Sequence, residues 1–303
     1  MNLYLGVFGH TALDVILKVP NLPEKDSSIA VESRVVRYGG TAANIARAAA
    51  EMDVDVSLAS FVGDDFPEDY LNSLKESGVC TYDLKNMEGY NTPTCWIVND
   101  AKGEQITIID QAVMDHAESF ELATRTMNEC DILHIGTGKP DYYEKIFERT
   151  DSEKKTIAFD PAQELEYVYE PSTFEKFLRK SDYFFCNKKE LKVALNYLNE
   201  DTPQGILKYV DTLVVTKGAE GSSLYLSDEK VDIPAYEPQE VVEPTGAGDA
   251  FRAGFYAGLD RGMPLVECCK TGSARASFSV ECSGPQDNLV NWEEVRDRFE
   301  KID

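Results

Sequence analysis

From residue 40 onward, short apolar runs alternate with segments of helical period, and that rhythm constrains the fold more than any other feature. Residues 42–52 are Ala-rich and helical, 54–62 read as a strand, and 67–76 are again helical. Later strand-like runs fall at Ile132–Ile135, Thr156–Phe159, 183–186 and Thr212–Thr216. Each is followed by a helical segment such as Lys188–Leu198. Strands alternating with helices predict an α/β fold, a doubly wound and mostly parallel sheet with helices on both faces. Residues 13–19 with 31–38, and 94–98 with Gln105–Asp110, break the rhythm as strand pairs with no helix between them. The second pair turns through Asn99-Asp100-Ala101-Lys102-Gly103, a hairpin loop. These segments suit a small β-sheet apart from the main body, serving as a lid over a site or as an appendage for dimerisation.

The chain has 303 residues, 43% of them hydrophobic and 28% charged, the balance of a soluble globular protein. No apolar run approaches the roughly 20 residues needed to span a bilayer. The first strand-like run, residues 3–8, lacks a basic leader and a small-residue cleavage site, so a cytoplasmic location is expected. A net charge of -24 repels nucleic acid and anionic membrane, so neither is an expected partner. The seven cysteines are scattered, and no pair has metal-ligand spacing, which points to reduced thiols rather than a disulfide framework. Three histidines, His10, His116 and His134, are too few and too dispersed for a zinc site or a Ser-His triad. The first strand ends in Gly6-Val7-Phe8-Gly9, not in the glycine pattern of a dinucleotide fold, and no Gly-Lys-Ser/Thr closes a P-loop.

The segment most informative about function is Glu243-Pro244-Thr245-Gly246-Ala247-Gly248-Asp249, followed by a helix that is small and apolar on one face. The first N–H groups of a helix lack internal partners, and small residues let an anion approach them closely. Asp249 in the first turn would point a carboxylate into the same space. An acceptor carboxylate beside an anion hole is the geometry of phosphoryl transfer. An ordinary Gly-rich loop capped by Asp is the bland alternative.

This segment closely resembles the C-terminal signature of the ribokinase-like (PfkB) carbohydrate kinases, and Gly39-Gly40-Thr41-Ala42-Ala43-Asn44 resembles their N-terminal one. Two signatures in the right order are far less frequent by chance than either alone. The resemblance spans nearly the whole chain, taken as one kinase unit over 1–303. It implies a ribokinase-like domain with a β-sheet lid formed by about 12–38 and 92–111. It implies Asp249 as catalytic base, with Gly246, Ala247 and Gly248 as the anion hole. Asp14, Gly39, Gly40, Asn44 and Gln163 would bind the substrate. Asn187, Thr216, Gly218 and Gly221 would bind ATP, and Glu190 would serve Mg²⁺, a cation that favours carboxylates and waters. A helix start capped by Asn187 is the plain reading of that last stretch. The resemblance also implies a K⁺ site beside the anion hole, where Glu243 stands in place of the more usual Asp, and a homodimer made through the lid.

Within the family, Pro244–Asp249 with Arg252-Ala253-Gly254, the stretch 9–14, and Pro93-Thr94-Cys95-Trp96-Ile97 resemble the archaeal nucleoside kinases. The expected substrate is thus a nucleoside phosphorylated on its ribose 5′-hydroxyl. A sugar kinase acting on ribose, fructose or ribose 1-phosphate is the alternative. A base needs an apolar or aromatic wall, for which Tyr38, Trp96, Ile108 and Phe159 are candidates. Asp110, Gln111 and Gln163 are candidate partners for its polar edge. A sugar phosphate would need cations, and Arg252 and Lys139 are the nearest.

Overall fold

The structure, a computed structural model, describes residues 3–102, 104–150, 155–227, 229–287 and 289–300. Gly103 of the expected hairpin loop lies outside the described residues. The strands are β1 (Tyr4–Phe8), β2 (Ala12–Val19), β3 (Ser33–Gly39), β4 (Asp55–Val62), β5 (Leu84–Asn86), β6 (Thr94–Asp100) and β7 (Gln105–Asp110). They continue as β8 (Ile132–Ile135), β9 (Thr156–Phe159), β10 (Tyr183–Asn187), β11 (Thr212–Thr216), β12 (Ser222–Leu226) and β13 (Glu229–Ile233).

Nine of them form one sheet in the order β13-β12-β11-β10-β9-β8-β1-β4-β5. From β5 to β11 neighbours run parallel, and β12 and β13 finish the edge as an antiparallel pair. Adjacent residues on a strand project to opposite faces, so Phe184 joins the buried cluster on one side and Phe185 the cluster on the other. Leu5, Leu133, Phe159 and Leu213 are wholly buried. Each such side chain stabilises the fold by about 1.5–3 kcal/mol through apolar burial. The chain leaves β1, returns at β4 on one side and resumes at β8 on the other. That makes a topological switch, with a crevice at the carboxyl ends of the strands.

The second sheet has four strands in the order β3-β2-β6-β7, β2 and β6 being parallel and the outer pairs antiparallel. It is built from the two stretches that broke the helical rhythm. The β6–β7 turn is held by Asp100, whose Oδ1 accepts from the backbone N–H of Lys102 and Glu104 at 2.7 and 2.9 Å. Among the described residues, no helix is long and apolar enough to cross a membrane.

Candidate active site

The helix Ala247–Asp260 begins at the crevice. Gly246 caps it in the left-handed region (φ 80°), which costs glycine no steric strain, and a Cβ there would overlap Pro285. Ala247 N–H already donates to the Pro244 carbonyl at 3.2 Å, and Ala250 N–H closes the first helical turn on Gly246 at 2.9 Å. Gly248 and Asp249 follow in the first turn and border the crevice. Of the anion hole expected at Gly246, Ala247 and Gly248, the Ala247 amide is thus already engaged by a turn, while Gly246 and Gly248 line a cavity there.

Asp249 sits where two cavities meet. The first, about 400 Å³, lies at the ends of β9, β10 and β11 and is lined by Asp160, Gln163, Asn187, Glu190, Thr216 and Gly218 among others. The second, about 290 Å³, lies between the crevice and the four-stranded sheet, with Asp14, Gly40, Asn44, Ile97, Ile109 and Gly246 in its wall. Thr41, Gln163, Gly248 and Asp249 border both. Both volumes suit small ligands, which fill clefts of a few hundred Å³.

Asn44, on the helix Thr41–Ala50, donates from Nδ2 to Asp249 Oδ2 at 2.8 Å. That helix starts at Gly40, whose φ of 92° and close backbone neighbours, His10 and Ala12, leave no room for a Cβ. Burial pushes the Asp249 carboxyl up to about 7, against the opposing pull of the Asn44 hydrogen bond and the Arg252 charge. Burial likewise raises Asp14 to about 6, with Glu243 adding to the rise. A carboxylate poised near neutrality is suited to take a proton.

Arg252 lies one turn beyond Asp249 and is buried. Its Nε and Nη2 grip Asp160 at 2.7 and 3.2 Å, and its Nη1 donates to the Gly248 carbonyl at 3.2 Å. Burial alone would lower the guanidinium, but Asp160 outweighs it and holds the charge firmly. His134, 3.7 Å from Asp160, is driven down to about 4 by burial and stays neutral. The arginine thus anchors the floor of the first cavity rather than reaching for a ligand.

Asn187 and Glu190 form a reciprocal cap at the start of the helix Lys188–Leu198. Asn187 Oδ1 accepts from Lys189 and Glu190 N–H at 2.7 and 3.0 Å, and Glu190 accepts from Asn187 N and Nδ2 at 2.7 and 2.6 Å. The cap and the cavity lining coexist in one pair of residues. Burial raises the Glu190 carboxyl, and nearby Asp160 adds to it.

Other expected residues fall elsewhere. Gly221 is buried behind the turn and does not line the first cavity, although Thr216 and Gly218 do. Gly39 is packed against the Asp14 carboxylate and gives its carbonyl to Tyr70. All four proposed wall residues point away from the second cavity. Tyr38 stacks on Tyr70 at 4.2 Å, and Phe159 is in the core of the large sheet. Trp96 and Ile108 are cross-strand partners of opposite parity to Cys95, Ile97 and Ile109, which supply the wall with Pro93. Asp110 lines the cavity. Gln111 bridges His10 and Glu164, donating to Glu164 Oε1 at 2.6 Å. Lys139 is paired with Asp115 at 2.9 Å. Sequence reasoning missed Asp160, Glu164 and Gln286, which carry no local motif and gain their roles only by convergence in space.

A carboxylate near neutrality, helix-start amides beside it and a cavity on either side define an enzyme that passes an anionic group to a hydroxyl, a phosphotransferase. Residues 2–292 match the pfkB family carbohydrate kinases. The chain is 37% identical to the nucleoside kinase of Methanocaldococcus jannaschii over 294 residues, 97% of this chain and 95% of that protein. It is 34% identical to the nucleoside kinase of Methanothermobacter thermautotrophicus over 293 residues, covering 96% and 94%. The crystal structure of the M. jannaschii nucleoside kinase superposes with a TM-score of 0.90 at 35% identity, covering 99% of each chain. The chain belongs to the pfkB family of carbohydrate kinases, as a kinase of the nucleoside and sugar branch.

Proposed function

We propose that this protein uses Mg·ATP to phosphorylate the ribose 5′-hydroxyl of a nucleoside. The observation that carries the reading is the lining of the second cavity. Asp14 and Asn44 line it together with Pro93, Ile97 and Ile109. Among the described residues lining it there is no lysine or arginine. A carboxylate can accept two hydrogen bonds from a vicinal diol, and an apolar wall suits a base. A sugar phosphate would need a cation, and the two candidates are engaged, Arg252 with Asp160 and Lys139 with Asp115. Both similar archaeal proteins named above are nucleoside kinases, in line with this reading.

In the proposed reaction, Asp14, Gly40 and Asn44 hold the ribose so that its 5′-hydroxyl meets Asp249. Asp249 takes the hydroxyl proton, and the Gly248 and Asp249 amides receive negative charge on the transferred phosphoryl group. ATP enters from the first cavity, across Asn187, Thr216 and Gly218. That cavity's oxygen donors fit Mg²⁺, with Glu190 as the carboxylate that would hold it together with water and phosphate. The ion would neutralise phosphate charge. A K⁺ site would lie at the loop before Gly246, whose Glu243 N–H is pinned to the Val280 carbonyl at 3.2 Å. The four-stranded sheet acts as the lid of a single kinase unit.

The sheet's outer face also supports a homodimer. Val36, Trp96, Ile106 and Ile108 are exposed together there, and β3 and β7 end as open edges. Sedimentation of the protein with and without Ile108→Lys tests this, a monomer before substitution being the result against it. The substrate reading is tested by ADP release on a panel of nucleosides, ribose, fructose and ribose 1-phosphate. Greater kcat/KM on any sugar or sugar phosphate than on every nucleoside would overturn it.

A further inference from the structure

We propose that Gln286 is a positioning residue for the base Asp249, acting through the side-chain amide of Asn44; this rests on the phosphotransfer reading above. Gln286 lies in the loop after the helix Leu265–Ser279, far from both partners in sequence, and only 7% of it is exposed. Its Nε2 donates to Asn44 Oδ1 at 2.8 Å and to Tyr70 Oη at 2.7 Å. Its Oε1 accepts from Arg47 Nη1 at 3.2 Å.

An asparagine amide has a donor end and an acceptor end of nearly equal shape, so its neighbours decide which way it points. Here the two ends of the chain leave no choice. Arg47 can only donate, and an ionised Asp249 can only accept. The one polarity that satisfies every link runs Arg47 to Gln286, Gln286 to Asn44, and Asn44 to Asp249. Gln286 therefore obliges Asn44 to present its NH₂ to the base. Without that donor, the Asn44 carbonyl loses its partner, and only the demand of the ionised Asp249 for a donor still orients the amide.

The other charged groups facing Asp249 come from three elements: Arg252 on its own helix, Asp160 after β9 and Asp14 on β2. Arg252 favours the ionised base, and the two carboxylates oppose it. The Asn44 donation is the strongest influence favouring the ionised form, so turning the amide should move the pH at which the base becomes available.

Gln286→Glu is nearly isosteric and keeps the contact to Arg47, but it removes the donor to Asn44. The new carboxylate and Asp249 then compete for the Asn44 NH₂, which weakens the donation to the base. The expected result is a fall in kcat on the order of 10-fold, with the acidic limb of the kcat–pH profile moved up by about one unit. The amide route needs Asn44, so in an Asn44→Ala background the uncharged Gln286→Met should lower kcat no further and leave the profile unmoved. Equal kcat and profile in Gln286→Glu and the unaltered protein, or a full additional fall on Gln286→Met in the Asn44→Ala background, would overturn the inference. Should Gln286→Glu not fold, Gln286→Met alone takes its place, with an expected loss of about 3-fold. Absence of phosphoryl transfer by the unaltered protein on the nucleoside and sugar panel would instead remove the reading on which the inference rests.

Discussion

The two sheets are rich in the same side chains and leave them in opposite states. In the large sheet Leu5, Leu133, Phe159 and Val214 are completely covered, because helices close both faces. In the four-stranded sheet Val35, Val36, Trp96, Ile106, Ile108 and Ile109 remain well exposed. Propensity does not account for the difference, since β-branched and aromatic residues dominate in both. Only the large sheet receives helices from the alternation of the chain. The body's sheet is covered by helices, and although Val15 and Val19 of β2 are buried, the small sheet keeps exposed apolar residues on both of its faces. One of these faces contributes the wall that meets Asp14.

That division can be broken by experiment. Asp249 belongs to the body, so Asp249→Asn should lower kcat by about 10² to 10⁴ while KM for both substrates changes little. Rapid-quench turnover would check it, and near-normal kcat would deny the carboxylate its role as base. Phe159 lies among Phe147, Tyr169, Phe174, Phe177 and Phe184. Phe159→Ala should cost about 3–5 kcal/mol in a urea titration. Asp14 lies on β2 of the small sheet, so Asp14→Asn should raise KM for the acceptor about 10-fold and leave KM for ATP unchanged. A change confined to kcat would mean that the sheet takes part in chemistry and not only in binding. At the small end, Ile108→Ala should shift stability by less than about 0.5 kcal/mol when measured on dilute, monomeric protein.

The pH response sharpens the same contrast. Burial raises Asp249 to about 7 and Asp14 to about 6, above the ordinary aspartate value of 3.8. Both groups therefore hold more protons folded than unfolded between about pH 4 and 7. Their contribution to stability is intact below the unfolded value and is lost as pH rises through the folded ones. Activity runs the other way, since the base must be ionised, and kcat should decline as pH falls below about 7. Asp249→Asn should flatten the stability slope, which calorimetry across this pH range would reveal.

The body of the fold, and the placing of Asp249 in the first turn of a helix, were legible in the sequence, since both are local. The helix Lys188–Leu198 has the same limits in sequence and structure, and Asn187 caps it through a box readable as Asn-x-x-Glu. Gly246, Gly248 and Asp249 are adjacent in the chain, so a helix start alone brings them together. The wall of the second cavity was misread because strand residues alternate. Trp96 and Ile108 have the right chemistry on the wrong parity, and nothing local says which face of an uncovered sheet looks inward. The pair Arg252–Asp160 and the link Gln286–Asn44 join residues 92 and 242 positions apart. No spacing rule reaches that far.

Asp249 borders both hollows, so under the proposed function the fate of the transferred phosphoryl group is decided by whatever stands in the second one. Water is small enough to stand there, and the carboxylate does not distinguish its proton from that of a sugar. On that proposal, economy of the phosphoryl donor is a property of the small sheet, whose apolar strands must seat the acceptor closely enough to keep water out.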